Sequence, residues 1–495
     1  MILVQEIKLR EYQLEIINGT RNFMRRGYRH ICVVAPCGAG KTIIMGWMIR
    51  EAWQRGYRCI FFVHRKELIE QTAEAFRQLG ISFGIIAAGV KPDYEQPVQI
   101  ASVQTLTKRI NKITAPDMLV CDECHHIKAA TYLKIVRKFD NAWLIGTTAT
   151  PKRTDGDALG DVFDSMVVGA SAHKLMELGN LAPYDYFAPT SLDVSKVRLL
   201  RGDYDPKAVE KMVAQWKIVG DIVENYKKYA NGKSAICYCV TVKHSKMIAK
   251  SFNDAGISAA HCDFKTPKAE RARIIADFRA GKLLVLCNVN LFGEGVDVPN
   301  VHAVILARPT KSTTLYIQQA MRPLRPDPND PNKKAVIIDH VDNYKRHGFP
   351  DDDYEWSLKK EPEHVAHVKK CPRCGAVVKW GTERCPNCEY KFPVITNTSP
   401  YKRSTEVEKV KGELSKIYSS DKVLPLVVEK RQISLRYDEF LVKELKKGNP
   451  DAVKAALIRA LEYAQSSDDY NYLWRRTGGR YSTLIWKWRK ANRKF

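Results

Sequence analysis

A short glycine-containing segment, Ala-Pro-Cys-Gly-Ala-Gly-Lys-Thr, directly follows an apolar run and precedes a helical pattern. Glycines at its fourth and sixth positions let backbone N–H groups turn inward around a phosphate, and the N-terminus of the next helix adds the positive end of its dipole. In such a loop the lysine reaches the β- and γ-phosphates of a nucleotide, and the threonine hydroxyl binds Mg²⁺. The first position is alanine where the general pattern has glycine, which leaves the Gly-Lys-Thr core intact. We assign eight residues to nucleotide binding: Ala35, Pro36, Cys37, Gly38, Ala39, Gly40, Lys41 and Thr42.

Two adjacent carboxylates end a later apolar run that begins at Met118. Asp122 is predicted to hold the Mg²⁺ shell together with Thr42, and Glu123 to orient and deprotonate the attacking water. Acidic residues at the end of a strand are often only solvated. This pair therefore indicates catalysis only in combination with the phosphate-binding loop. Together the two motifs predict an ATPase.

Apolar runs alternate with helical patterns along most of the chain, which is typical of strand–helix units and a parallel sheet. Strands are predicted at 31–35, 59–64, 98–102, 118–121 and 143–147, and again at 235–240, 283–287, 303–307 and 335–338. A polar stretch at about 181–206 breaks the pattern. The sequence therefore predicts two α/β domains, at residues 1–182 and 233–348, with residues 183–232 as a linker and the start of the second domain.

Thirteen cysteines indicate a reducing compartment, because most of them lie singly in apolar runs, as buried thiols do. The other four form two Cys-x-x-Cys pairs: Cys371, Cys374, Cys385 and Cys388. Four thiolates at this spacing suit one tetrahedral structural Zn²⁺, and a redox pair or disulfides are the alternative. We predict a connector and a zinc ribbon at residues 349–392.

The C-terminal region, residues 393–495, is predicted to be a mostly helical basic domain. Between Tyr470 and Phe495 there are eight Lys or Arg residues and no acid, with tyrosines and tryptophans interleaved. Such side chains suit phosphate contact and base stacking. The alternative is a small helical domain whose aromatic residues form its own core.

The formal net charge is +25, from 80 Lys plus Arg against 55 Asp plus Glu. A surplus of this size favours a polyanionic partner, and an inert basic surface is the alternative. With 45% hydrophobic and 27% charged residues, the composition excludes wholesale disorder, a collagen-like fibre and a disulfide mini-scaffold. No run approaches the ~18 uncharged apolar residues of a membrane span, and residues 1–10 lack the apolar core of a signal peptide. We expect a cytoplasmic protein without membrane contact.

These motifs, in this order, resemble those of the superfamily 2 helicases and translocases. Asp-Glu-Cys-His at 122–125 is similar to the family's Asp-Glu-x-His box, and Leu-Arg-Glu-Tyr-Gln at 9–13 to its upstream glutamine motif. Further matches are Val-His-Arg-Lys-Glu-Leu from Val63, Ser-Val-Gln-Thr-Leu from Ser102, Thr-Ala-Thr-Pro from Thr148, Asn-Leu-Phe-Gly-Glu-Gly-Val-Asp from Asn290, and Gln-Gln-Ala-Met-Arg-Pro-Leu-Arg from Gln318. In the last motif Met321 stands where the family has glycine.

The resemblance covers roughly residues 1–345 and implies two tandem RecA-like lobes with ATP and Mg²⁺ between them. It assigns further nucleotide contacts to Arg10, Gln13, Gly295 and Asp297. Coupling of hydrolysis to movement falls to His125, Thr148, Thr150 and Gln318. Nucleic-acid contacts are Arg65, Gln104, Thr105 and Asn290. Arg322 and Arg325 are expected to reach across the cleft and join Lys41, Asp122 and Glu123 in catalysis.

Within the superfamily, the start motif and the Asp-Glu-Cys-His box look closer to DNA-directed members than to the Asp-Glu-Ala-Asp RNA group. Those members include phage branch-migration helicases, repair helicases and motor subunits of type III restriction enzymes. We therefore expect a monomeric ATP-dependent DNA helicase or translocase, in a prokaryotic or phage-infected cell, that unwinds or remodels branched DNA in replication, recombination or repair. Its expected partners are single-stranded, forked or junction DNA and replication or recombination proteins. The alternatives are an ATP-switched DNA clamp, a restriction motor whose nuclease is a separate chain, and an RNA helicase.

Overall fold

The structure is a computed structural model that describes residues 7–65, 67–152, 158–188, 194, 197–200, 203–215, 218–289, 291, 301–359, 368–370, 377–384, 389–392, 415–419 and 457. The chain divides into two compact units, residues 1–421 and 422–495. All helices and strands below belong to the first unit.

The first lobe is a seven-stranded parallel sheet with helices between its strands. Its elements in chain order are α1 (Glu11–Arg25), β1 (His30–Val34), α2 (Lys41–Gln54), β2 (Cys59–Val63), α3 (Glu67–Gln78), β3 (Gly84–Ile86), β4 (Val98–Ser102), α4 (Val103–Arg109), β5 (Met118–Asp122), α5 (Ala130–Lys138), β6 (Trp143–Thr148), β7 (Ser165–Val168) and α6 (Ala172–Glu177). Short 3-10 helices span Ile110–Lys112 and Cys124–His126. The strand order is β3-β4-β2-β5-β6-β1-β7, so β6 lies between the strands that carry the phosphate-binding loop and the acidic pair.

The second lobe has a sheet of the same size. Its elements are β8 (Tyr184–Ala188), β9 (Leu199–Leu200), β10 (Asp203–Tyr204), α7 (Pro206–Gln215), α8 (Ile218–Ala230), β11 (Ala235–Tyr238), α9 (Val242–Asp254), β12 (Ala259–Cys262), α10 (Lys268–Arg279), β13 (Val285–Asn288), β14 (Ala303–Leu306), α11 (Thr313–Ala320), β15 (Ala335–Asp339) and α12 (Asn343–His347), followed by β16 (Val368–Lys370), β17 (Val377–Lys379) and β18 (Ser415–Ser419). A 3-10 helix at Arg322–Leu324 follows α11. The order is β12-β13-β11-β14-β15-β8-β18, with β18 antiparallel to β8 and the other strands parallel.

The apolar strand runs form these sheets because both faces of each sheet are covered by helices. In the first lobe, side chains alternate between two apolar cores: Phe61 faces the same core as Phe76 of α3, whereas Phe62 faces the core that contains Tyr132 of α5. Strands β2, β4 and β5 are buried at every position. A mostly apolar run is therefore the sequence signature of β2 and β5, in place of the polar–apolar alternation of a half-exposed sheet. Strand β4 also buries Gln99, whose Nε2 donates to the carbonyl oxygens of Asp93 and Gln96 at 2.7 and 2.9 Å.

The prediction of two parallel-sheet α/β lobes is confirmed, and all nine predicted strands form. Residues 183–232, predicted as a linker and the start of the second domain, begin with β8, which pairs with β15 inside the second sheet. The sequence does not predict this strand because its short run, Tyr-Asp-Tyr-Phe-Ala, carries the charged Asp185 at its second position. Its tyrosines, Tyr184 and Tyr186, are fully buried.

Beyond α12 the chain returns to the first lobe. The carbonyl oxygen of Leu358 accepts a hydrogen bond from the backbone N–H of Gly160 at 2.9 Å, and Trp356 packs against the first lobe's cores. The connector predicted at the start of 349–392 thus lies against both lobes. The four cysteines of the predicted zinc ribbon and nearly all of the predicted helical C-terminal domain lie outside the described residues.

The nine cysteines that the structure describes are free thiols, eight of them buried and Cys37 partly buried. This agrees with the interpretation of scattered cysteines as core residues. Within the described ranges, no helix has both the length and the apolar character needed to cross a bilayer.

Candidate active site between the lobes

The phosphate-binding loop has the local geometry that its glycines predict. Gly38 and Gly40 adopt positive φ angles of 88° and 78°, a region that favours glycine, and α2 begins immediately afterwards at Lys41. A Cβ on Gly40 would lie 2.7 Å from Nε2 of Gln13. Glycine is therefore required at this position both for the backbone conformation and for the close approach of α1.

The start of α1 holds the loop from outside. The hydroxyl of Tyr12 and Nε2 of Gln13 both donate to the carbonyl oxygen of Ala39, at 3.0 and 3.1 Å. The backbone N–H of Arg10 donates to Oε1 of Gln13 at 3.0 Å, which fixes the amide. Gln13 thus contacts the backbone of the phosphate-binding loop, next to where the resemblance expects it to act. Tyr12 was not among the predicted site residues.

The acidic pair lies at the end of β5. Asp122 is buried, and its Oδ1 accepts a hydrogen bond from the backbone N–H of Glu123 at 3.0 Å. Glu123 has φ 49° and ψ 53°, a left-handed conformation that costs a non-glycine residue about 1–3 kcal/mol and occurs where surrounding structure enforces it, often at functional sites. Its Oε2 is buried without a hydrogen-bond partner.

Charge concentrates where the loop and the acidic pair meet. Burial disfavours the charged form of Lys41, but Glu123, the Cys37 thiol and Asp122 outweigh that effect and hold the pKa of Lys41 above its ordinary value. Lys41 is therefore a permanent cation, whose Nζ lies 3.4 Å from the carbonyl oxygen of Ala35. A lysine beside carboxylate oxygens is the combination expected of a site for MgATP, because the lysine suits a phosphate group and the oxygens suit Mg²⁺.

Two arginines of the second lobe lie at this loop. Arg322 is buried in the 3-10 helix after α11, and Cγ of Arg325 would lie 3.8 Å from a Cβ on Gly38. Burial raises the pKa of the Cys37 thiol, and the positive charges of Arg322 and Arg325 oppose that rise. Both arginines therefore lie close enough to Cys37, a residue of the phosphate-binding loop, to act on its charge. The arginines therefore approach the first lobe's phosphate-binding loop from across the cleft.

The backbone beside Arg325 is held by a buried lysine that sequence reasoning missed. Nζ of Lys333 donates to the carbonyl oxygen of Arg325 at 2.8 Å. Burial lowers the pKa of Lys333 to about 8, despite the opposing charges of Asp327 and Asp330. Nothing in the local sequence around Lys333 distinguishes it from a surface lysine.

A chain of short contacts leads from Glu123 into the second lobe. Nδ1 of the buried His125 lies 3.4 Å from Oε2 of Glu123 and 3.1 Å from Oγ1 of Thr148. Because Thr148 Oγ1 donates to the carbonyl oxygen of Thr150 at 2.9 Å, His125 Nδ1 is the donor in its contact with Thr148. Oγ1 of Thr150 then donates to Oγ1 of Thr314, on α11, at 2.8 Å.

Thr314 closes the connection between the lobes. Its hydroxyl donates to the carbonyl oxygen of Lys152 at 3.0 Å, so it contacts the first lobe twice. It lies one helical turn before Gln318, whose Nε2 is buried without a hydrogen-bond partner. The predicted coupling residues His125, Thr148 and Thr150 are therefore in one hydrogen-bonded series, and that series ends on the unpredicted Thr314.

The residues predicted to contact nucleic acid differ in their exposure to solvent and in their partners. Gln104 is exposed at the start of α4 and donates to the carbonyl oxygen of His64 at 3.2 Å. Thr105 is buried and accepts a hydrogen bond from the Ser102 hydroxyl at 2.9 Å. Nη1 of Arg65 donates to the carbonyl oxygen of Leu291 in the second lobe, at 3.0 Å. Three further predicted site residues lie outside the described residues: Asn290, Gly295 and Asp297.

Comparison with known proteins identifies the family. The model of the type III restriction enzyme res subunit matches residues 6–153, and the model of the helicase conserved C-terminal domain matches residues 214–327. The chain is 36% identical to a 51.5 kDa protein of a Lactococcus phage over an alignment of 392 residues. The alignment covers 78% of this chain and 83% of the phage protein. The chain belongs to the superfamily 2 helicases.

More distant members agree. A candidate ATP-dependent helicase of Saccharomyces cerevisiae, IRC3, is 29% identical over 339 residues, which cover 64% of this superfamily 2 chain and 49% of the yeast protein. This chain therefore spans about half the length of that relative. A solved fragment of a candidate HsdR subunit of a type I restriction enzyme from Vibrio vulnificus superposes with a TM-score of 0.57 at 19% identity, over 72% of this chain and 69% of the fragment. That likeness concerns the fold.

Proposed function

We propose that this superfamily 2 protein is an ATP-driven DNA motor whose two lobes close over one nucleotide. The observation that carries the proposal is the position of Arg322 and Arg325, which belong to the second lobe and lie at the phosphate-binding loop of the first. An arginine supplied from a second lobe stabilises transition-state charge only when the lobes are closed, so hydrolysis and movement are physically linked.

The residues of the cleft fit MgATP. Bound MgATP supplies the phosphoanhydride bond to be cleaved and a divalent charge beside it. Lys41 neutralises phosphate charge, and the oxygens of Thr42 and Asp122 suit Mg²⁺. Glu123 accepts the proton of the attacking water at Oε2, the buried oxygen that lacks a hydrogen-bond partner. Arg322 and Arg325 then oppose the negative charge that develops on the transferred phosphoryl group.

Coupling runs through the threonine series between the lobes. When the side chain of Glu123 moves, the contacting His125 moves with it. The hydrogen bonds of Thr148 and Thr150 transmit that movement to Thr314 on α11. Because α11 leads directly into the helix that carries Arg322, closure and catalysis share one structural element. Each cycle of closing and opening would advance the lobes along the bound strand.

A net charge of +25 favours a polymer with a phosphate backbone. We propose that this polymer is DNA because the N-terminal match is to a restriction-enzyme subunit. Within that proposal the substrate is single-stranded, forked or junction DNA, and the setting is replication, recombination or repair.

Structural zinc at the four cysteines completes the proposal. What supports it in the described chain is antiparallel pairing on both sides of each cysteine pair. Strand β16 pairs with β17 around the first pair, and Arg384 pairs with Lys391 around the second. Four thiolates leave no open coordination position, so such an ion stabilises the fold and takes no part in catalysis. Metal analysis of the purified protein tests this, and a preparation without zinc would refute it.

Steady-state ATP hydrolysis is the test of the motor. Turnover is measured without nucleic acid and with single-stranded, duplex, forked and four-way DNA and RNA, with Lys41→Ala as the inactive control. Stimulation by branched DNA is the expected result, followed by strand displacement on the same fork. ATPase without displacement would favour an ATP-switched clamp. Stimulation by RNA alone would overturn the DNA assignment, and turnover indifferent to every polymer would overturn the motor.

A further inference from the structure

A groove of about 440 Å³ opens on the first lobe between α5 and the 3-10 helix that follows α4. Its apolar lining comes from Ile110, Ala130 and Leu133, and Lys134, Arg137 and Lys138 form its charged rim. All three cations are exposed. None of the residues that line the groove belongs to the ATP site described above.

The cations around the groove are not neutralised by neighbouring acids. Helices α4 and α5 contain no Asp or Glu, and they contribute Lys108 and Arg109 besides the three rim cations. Within the described ranges, none of these five side chains forms an ion pair. Cations on other surface helices behave differently, since α3, α8 and α9 each pair a cation with an acid of the same helix.

Helix dipoles account for only part of this charge. Lys108, Arg109, Arg137 and Lys138 lie in the last turns of their helices, where a cation is stabilised by the negative end of the dipole. Lys134 lies in the middle of α5, where the dipole gives no such advantage. A concave surface with unpaired cations on its rim suits an anionic chain, because the cations contact backbone charges without selecting among side groups.

The position of α4 favours nucleic acid as that chain. The helix begins beside Gln104, the exposed residue that the family resemblance assigns to nucleic-acid contact, and ends at the groove. Its seven residues span about 10 Å, which is the rise of about three nucleotides along one strand of B-form DNA. A strand that contacts Gln104 therefore reaches the groove without leaving the surface of the first lobe.

We propose that this groove is a second contact for the DNA backbone, outside the cleft, which holds DNA as it enters or leaves the motor. The inference rests on the proposed function, since it requires that the chain bind DNA. It adds to that function a sequence-independent binding surface on the first lobe alone. Loss of the groove should weaken DNA binding and leave the DNA-free ATPase reaction intact.

The experiment compares two double variants of the full chain. Lys134→Ala with Arg137→Ala removes two rim cations, and Lys268→Ala with Arg273→Ala removes the same residue types from α10, a helix with acids of its own. The dissociation constant of a fluorescent duplex DNA is measured across a range of salt concentrations. Each lost phosphate contact lowers the salt slope by about 0.9, so the groove variant should lose about 2 in slope and up to about a hundredfold in affinity at ~0.1 M salt.

The α10 variant is expected to keep the wild-type slope, as is the charge-conserving pair Lys134→Arg with Arg137→Lys. Unchanged DNA-free ATP hydrolysis shows that the groove variant is folded. If the groove variant keeps the wild-type salt slope, the proposal is refuted. The groove would then be a candidate site for an acidic protein partner. Failure of the wild-type protein to bind any DNA would instead refute the proposed function, so the two failures are distinguishable.

Discussion

Replacing Thr314 with valine removes a hydroxyl that joins the two lobes and changes little else. Valine has nearly the same shape, so the packing of α11 is retained. The buried Thr150 hydroxyl loses its acceptor at 2.8 Å, and the carbonyl oxygen of Lys152 loses its donor at 3.0 Å. Leaving such groups unpaired costs about 1–3 kcal/mol.

That free energy is lost from the closed arrangement alone, because both contacts run between the lobes. The ratio of closed to open molecules should therefore fall by a factor of about 5 to about 150. Since Arg322 and Arg325 reach the phosphate-binding loop only in that arrangement, the kcat of ATP hydrolysis should fall by a factor in the same range. Nucleotide affinity should change little, because Lys41 and its loop belong to the first lobe.

Fluorescent-nucleotide binding and steady-state ATP hydrolysis separate the two effects. Thr314→Ser restores the hydroxyl and should restore turnover. Thr313→Val is the matched control, because Thr313 Oγ1 lies 3.2 Å from Nδ1 of His347 within the second lobe. A wild-type kcat in Thr314→Val, or an equal loss in Thr313→Val, would refute the role of Thr314 in coupling.

Three further predictions concern single residues. Glu123→Gln should bind ATP but hydrolyse it roughly 10²- to 10⁴-fold more slowly in single-turnover assays; unchanged turnover would exclude Glu123 as the general base. Gly40→Ala should lose stability by about 1–2 kcal/mol in urea unfolding and also weaken nucleotide binding, because the new Cβ displaces Gln13. Gly27→Ala, with φ 87° and nothing within 4 Å, carries the same strain and should bind nucleotide normally; equal nucleotide affinity in both variants would exclude the Gln13 contact. Burial lowers the pKa of His340 to about 3, below its unfolded value, so the stability it contributes above about pH 6.5 is lost as pH falls, by about 1.4 kcal/mol per pH unit. His340→Leu should flatten this acid dependence in unfolding measurements, and an equal slope in both proteins would contradict it.

The sequence predicts much of the architecture because many strands and the phosphate-binding loop depend on residues that are adjacent in the chain. A strand buried on both faces is mostly apolar, so β2 and β5 are visible in the sequence as apolar runs. The phosphate-binding loop is equally local, since its glycines, lysine and helix start lie within one short segment. Strand β8 shows the limit, because its pairing with β15 is decided by residues far along the chain.

The site divides in the same way. Sequence spacing alone determined the loop, the acidic pair and the order of the motifs, because each is a set of residues whose chemistry requires them to be close in the chain. Tertiary structure decided which side chains meet between the lobes. Thr150 and Thr314 are 164 positions apart, and Lys333 reaches the backbone of Arg325 only because the intervening turn folds back. The groove on α4 and α5 likewise becomes visible only when two helices without acids pack side by side. Such contacts leave no periodic pattern in the sequence, because only folding brings their partners together.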